Sequence, residues 1–286
     1  MPHRWVSLGI LLGWAIAAGA LIRRDLLPLI LIGPPPDLRT IAKAEDEGPT
    51  TWSILIVDTQ ASSGGFRSIG DIVTKTRKVR DGFVELTSDA KIDSAAFFKG
   101  NLSVGAEAAD QLLIHSAFEI DPSGNLYQFE VVIRWKREPK ELMIIDGKLR
   151  HDQVVVNAHS PLMPMFNWSK SFPYQAHGMV QNTLAPIDRM PGLQVGQRWE
   201  SKIVSPLTFA NQMETVKVEV PRYRTIQWGN DPVRVFEVVS RFSTLTARTW
   251  VRPDGLVLRQ EIPTLHRNLF LERRPPRAEP EEKTRP

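Results

Sequence analysis

The sequence predicts an all-β fold: a curved antiparallel sheet or half-barrel with a short helix or loop crossover, preceded by one N-terminal transmembrane helix. Three observations carry this expectation. From Trp52 onward, short apolar or β-branched runs alternate with turn residues such as Asp81-Gly82 and Pro253-Asp254-Gly255, which tolerate the positive φ of tight turns. One proline-rich stretch, Ser160–Gln197, interrupts that rhythm and divides it into two halves. Trp5–Ile22 is an uncharged run of 18 residues, and a helix of that length measures about 27 Å, close to the hydrocarbon thickness of a bilayer.

The N-terminal run is bounded by Arg4 and by Arg23-Arg24-Asp25. It is longer than the apolar region of a secretory signal, which favours a retained anchor at residues 1–25 over cleavage at Ala18-Gly19-Ala20. Gly9, Gly13 and Ala17 form a seam of small residues on which membrane helices can pair. The charges flanking the run give a weak inside-positive bias. A short N-terminal tail inside and a large domain outside is the usual arrangement, which predicts a single-pass inner-membrane protein with the C-terminal domain outside the cytoplasm. Residues 26–50 read as a linker, apolar at first, then stiffened by Pro34-Pro35-Pro36 and acidic around Glu45-Asp46-Glu47.

Residues 51–274 form the β-rich domain. Strands are expected at Trp52–Asp58, Ser68–Val79, Phe83–Ile92, Leu112–Asp121, Leu126–Trp135, Glu141–Ile145 and Gln153–Ala158. After the interruption come Trp199–Val204, Thr215–Val220, Arg224–Trp228, Val233–Arg241, Ala247–Arg252, Leu256–Ile262 and Leu269–Arg273. Turns are expected at Asp81-Gly82, Pro122–Asn125, Asp146-Gly147, Gly229–Asp231 and Pro253–Gly255. In Ala247–Arg252 the residues Arg248, Trp250 and Arg252 share one face and Ala247, Thr249 and Val251 the other, while in Val233–Val239 both faces mix apolar and charged residues, so the sheet does not read as having a wholly dry face there. His177–Leu184 is the one short helix expected in the interruption, and residues 275–286 read as a charged, proline-rich, disordered tail.

Composition removes several kinds of chemistry. The chain has no cysteine, which excludes disulfides, thiolate metal sites and a cysteine nucleophile. Its formal charge is +4, and the three arginines and one aspartate of residues 1–25 account for half of it. The remainder carries no dense basic run, so nucleic acid is not an expected partner. The six histidines are scattered and no H-E-x-x-H occurs. The one S-x-x-K, Ser88–Lys91, falls in a strand, where residues three apart point to opposite faces. No phosphate-binding loop or nucleophile elbow is present. No catalytic, cofactor or metal residue is therefore assigned.

The feature that invites a binding hypothesis is the apolar cluster Met163, Met165, Phe166, Trp168 and Phe172. Such side chains adapt to irregular apolar ligands, although the expectation favoured over a ligand lining is that they fill the core where the two β halves meet. The expected function is a membrane-anchored, non-enzymatic domain binding a lipid-like ligand or an envelope protein. A hydrolase with a site assembled from distant strands, or a purely structural envelope protein, are the alternatives.

Pro191–Glu200 (PGLQVGQRWE) leading into hairpins, and the late strand–turn–strand Ala247–Pro263 (ARTWVRPDGLVLRQEIP), resemble the lipoprotein-localisation half-barrels and related uncharacterised bacterial envelope domains. The resemblance covers roughly residues 50–273 as a pattern. It implies an unclosed antiparallel sheet wrapped round an apolar cavity under a helix-bearing lid. It implies no functional residue. The chain departs from that family in lacking a cysteine for lipidation.

Overall fold

The computed structural model describes residues 4–21, 48–57, 65–98, 111–138, 140–174, 186–203, 214–242, 245–263 and 268–275. The short helix expected at His177–Leu184 and all of the C-terminal tail but Pro275 lie outside them, as does most of the linker. The N-terminal run forms helix α1, Arg4–Leu21. Among the described residues, no helix is long and apolar enough to cross a membrane.

The rest is all-β. The first half comprises β1 (Thr50–Val57), β2 (Phe66–Lys78), β3 (Val84–Asp93), β4 (Gln111–Ile120), β5 (Leu126–Trp135), β6 (Glu141–Arg150), β7 (Gln153–His159) and β8 (Trp168–Pro173). The second comprises β9 (Arg198–Ile203), β10 (Glu214–Trp228), β11 (Asp231–Arg241), β12 (Thr246–Val251), β13 (Val257–Pro263) and β14 (Asn268–Arg273). A short helix α2, Ser94–Phe98, follows β3, and a 3₁₀ turn, Pro164–Phe166, precedes β8. All fourteen strands join one antiparallel sheet in the order β8-β7-β6-β5-β4-β3-β2-β1-β14-β13-β12-β11-β10-β9. The chain starts in the middle, meanders outward to β8, crosses to the far edge at β9 and meanders back, so that β14 pairs with β1. Among the described residues, β8 and β9 end the order without pairing to each other, so the sheet is not closed there.

Alternation puts the core on one face. Trp52, Ile54 and Ile56 of β1, Leu112, Ile114 and Phe118 of β4, and Val154, Val156 and Ala158 of β7 all join one hydrophobic cluster, which continues through Trp199, Phe236, Val251 and Leu271. The second half also buries its other face. There Val235, Trp250, Leu256 and Leu258 form a separate cluster with Phe270 and Trp228 packed against it. This is why five consecutive residues, Val235–Val239, are all buried.

Three local expectations are corrected. Asp146-Gly147 is not a turn; it lies within β6, and the chain reverses instead at His151-Asp152, where His151 takes φ 57°. Gly147 stands directly opposite Phe129, whose ring covers it, so a Cβ at this position would collide with the ring. The glycine is there for close approach rather than for a turn. Thr215–Val220 and Arg224–Trp228 are one strand, β10, bent at a bulge between Glu219 and Arg222. Pro221 falls where pairing to β9 has ended, so its missing N–H costs no ladder bond on that side. The interruption Ser160–Gln197 also contributes a strand, β8, which pairs with β7 along Trp168–Pro173.

Candidate functional site

The crossover between the two halves returns through the middle of the sheet and places a carboxylate there. Met190 N–H donates to Gly255 O at 2.7 Å, Val257 N–H to Asp188 O at 3.0 Å, and Ile187 N–H to Gln260 Oε1 at 3.0 Å, which ties the segment to β13 and the turn before it. Gly255, at φ 87°, lies so close to Pro191 that a Cβ would meet that residue's backbone. Asp188 thereby reaches the seam where β1 meets β14. Trp52 Nε1–H donates to its Oδ1 at 3.2 Å, Thr74 Oγ1–H to its Oδ2 at 2.9 Å, and Arg273 Nη1 approaches Oδ1 at 3.5 Å. Arg273 Nη2–H in turn donates to Thr50 Oγ1 at 2.9 Å.

Burial dominates the electrostatics of this pair. It pushes the Asp188 carboxyl up, against the opposing pull of Arg273, Thr74 and Trp52. It pushes the Arg273 guanidinium down, against the pull of Asp188. Both oxygens of the carboxylate are engaged by side chains of β1, β2 and β14, so the group fastens the crossover to the sheet seam. Sequence reasoning did not single out Asp188. Its neighbours in the fold are 85 to 136 positions away in the chain.

The outer face of β10–β14 holds a second polar layer. Glu237 is only 2% exposed. It accepts from Arg222 Nε–H at 2.8 Å and also meets Arg224 Nε at 3.4 Å and Arg248 Nε at 3.7 Å. Arg248 Nη1–H donates to Glu261 at 3.1 Å, and Arg259 Nε–H to Glu272 at 2.6 Å. Trp250, opposite Glu237 in the β11–β12 register, is 7% exposed. Its Nε1–H has no hydrogen-bond partner among the described residues. An unmet buried donor costs about 1–3 kcal/mol, while truncating a large buried aromatic to alanine costs about 3–5 kcal/mol. Trp250→Phe removes the donor along with part of the ring, so it is expected to leave stability within about 1 kcal/mol of wild type. Trp250→Ala is expected to cost several times more. Urea denaturation of both variants checks this, and a Phe variant as damaged as the Ala variant would refute it.

The predicted apolar cluster does not come together as one lining. Met165 is 84% exposed and Phe166 38% exposed on the 3₁₀ turn, with Leu162 also exposed and Met163 half-buried. Trp168 and Phe172 are half-buried on β8 and pack against the edge of the main core. Ser160 fixes this turn: its Oγ–H donates to Leu142 O at 2.7 Å and its Oγ accepts from Met163 N–H at 3.0 Å. Ser88 is buried while Lys91 is exposed, on opposite faces of β3 as the strand assignment requires. His115 sits beside Asp89 at 2.8 Å on the surface. Among the described residues, no three His, Asp or Glu side chains are grouped to hold a metal ion.

No family model and no curated protein matches the chain. Among solved structures, it is similar to a β-barrel-like protein of the domain of unknown function DUF1849 from Brucella abortus, at 10% identity and a TM-score of 0.46, over 78% of this chain and 95% of that one. It is also similar to a DUF1089 family protein from Pseudomonas aeruginosa, at 12% identity and a TM-score of 0.35, over 68% of this chain and 90% of that one.

Proposed function

We propose that this chain is a membrane-anchored, non-enzymatic domain that works outside the cytoplasm and binds a lipid-like ligand at the apolar turn beside β8. The observation that carries the reading is where large apolar side chains meet solvent. On α1, Leu12 and Ile16 are exposed on one side and Trp14 and Leu21 on the other, so a single packed face would not cover them. Leu162, Met165 and Phe166 are exposed together on a turn held by Ser160, which presents an apolar patch at the edge of the sheet. Asp188 with Arg273, and Glu237 with Arg222, engage each other, which favours holding over turnover.

A protein partner is the second reading. It is supported by the strand order, in which β8 and β9 are the edges of the sheet among the described residues, where a strand can be added.

The test uses the full chain in its source membrane. Alkaline carbonate washing is expected to leave it in the pellet. Native mass spectrometry of the extracted protein is expected to show a bound lipid that Met165→Ser/Phe166→Ser loses without a change in melting temperature. Release by carbonate refutes the anchor. A lipid retained by the double variant refutes the assigned patch.

A further inference from the structure

The outer face of β10–β14 carries two of its acids, Glu237 and Glu261, beneath its bases. The side chains of Arg222, Arg224, Arg241 and Arg248 are 60%, 49%, 53% and 44% exposed, whereas those of Glu237 and Glu261 beneath them are 3% and 5% exposed. With Arg198 beside Glu219 and Arg259 on Glu272, six arginines face four carboxylates, a surplus of two positive charges. Arg222 and Arg224 reach Glu237 through Nε, and their Nη groups have no hydrogen-bond partner among the described residues. At the margin, Phe66 is exposed, with the Arg259 guanidinium over its ring at 5.5 Å. Over Glu237 and Glu261 it is guanidinium that meets solvent, laid out along neighbouring strands rather than gathered into a pocket, whereas at the β13–β14 end Glu272 is 23% exposed beside Arg259 at 18%.

We propose that this face docks on anionic phospholipid headgroups. Phosphate oxygens match the paired Nη donors of an arginine, and an anionic leaflet attracts basic side chains held near its surface. A lipid surface fits an extended array of donors flanked by an exposed aromatic ring better than a single small anion does. The inference rests on the membrane location proposed above and adds an orientation to it.

The test is arginine footprinting with phenylglyoxal on the full chain in nanodiscs of phosphatidylcholine alone, or of phosphatidylcholine mixed equally with phosphatidylglycerol. Arg222, Arg224 and Arg248 should be modified roughly tenfold more slowly in the anionic discs. Arg77, on the other half of the sheet, should be unaffected. High salt should abolish the difference. Arg222→Gln/Arg224→Gln should lose the protection of Arg248, and Arg222→Lys/Arg224→Lys should keep it, which separates charge from folding. An incorporated chain modified equally in both discs overturns the docking face. So does protection conferred by soluble polyglutamate but not by the anionic discs, which would indicate an acidic protein partner. A chain that enters neither disc overturns the membrane reading itself.

Discussion

Arg273→Met should destabilise the domain by about 3–5 kcal/mol, because it leaves the Asp188 carboxylate buried without its counter-charge. Methionine keeps much of the stem and its packing, so the loss is electrostatic. The pH dependence identifies it. Burial already holds the Asp188 carboxyl above its ordinary value of 3.8. The native protein therefore keeps this proton over a pH range in which the unfolded chain has released it. Stability falls as pH rises from 3.8 to the raised native value, and the contribution is constant above that. Without Arg273 the native value moves further up, so the variant should lose stability more steeply with pH than wild type over a wider window. Asp188→Asn/Arg273→Met should recover most of the loss, since a neutral amide can still accept from Trp52. Urea denaturation from pH 4 to pH 8 measures all three. Parallel pH profiles for wild type and Arg273→Met would rule out the carboxylate as the cause.

Glu219 and Asp254 contribute in the opposite direction. Their carboxyls lie below the ordinary range because Arg241 and Arg252, respectively, hydrogen-bond to them. What they add is present above their unfolded values and disappears as pH falls through the native ones. Both sit near the surface, where water screens the effect. The buried pair should therefore dominate the difference between the variants.

The parts of the fold that repeat locally were legible from the sequence. Strand alternation and turn residues located thirteen of the fourteen described strands, in the form of fourteen segments, because β10 reads as two, Thr215–Val220 and Arg224–Trp228. β8 was missed because Trp168–Pro173 lies among prolines, and its pairing to β7 is a tertiary fact. The mixed faces of β11, and the face of β12 that sets Trp250 between Arg248 and Arg252, were visible as an anomaly. Their explanation was not, since Glu237 draws its arginines from β10 and β12 and no spacing within one strand reveals that. The same holds for Asp188. Nothing around it resembles a site until the crossover carries it to Trp52, Thr74 and Arg273. The apolar residues 163–172 were legible as a group, but the structure divides them between an exposed turn and a half-buried edge strand.

Gly147 shows how a local rule is overridden, and it sets up the second large effect. A glycine inside a strand is ordinarily a weakness, and replacing it with alanine ordinarily gains stability. Here the Phe129 ring lies directly across the β5–β6 pair on the glycine, in the space a Cβ would need. Phe129 is also stacked on Phe118, with ring centroids 5.7 Å apart, so it cannot withdraw without disturbing β4. Gly147→Ala should therefore cost about 1–3 kcal/mol, the usual range for overpacking a filled core, and Gly147→Val more. If the ring is the obstacle, Phe129→Leu/Gly147→Ala should lose less than the sum of its single changes, by at least about 0.5 kcal/mol in a double-mutant cycle. If Asp146-Gly147 were instead a turn needing positive φ, the alanine penalty would be the same with or without the ring. Additive single and double variants would show that, and would move the reversal of the chain back from His151-Asp152 to Asp146-Gly147.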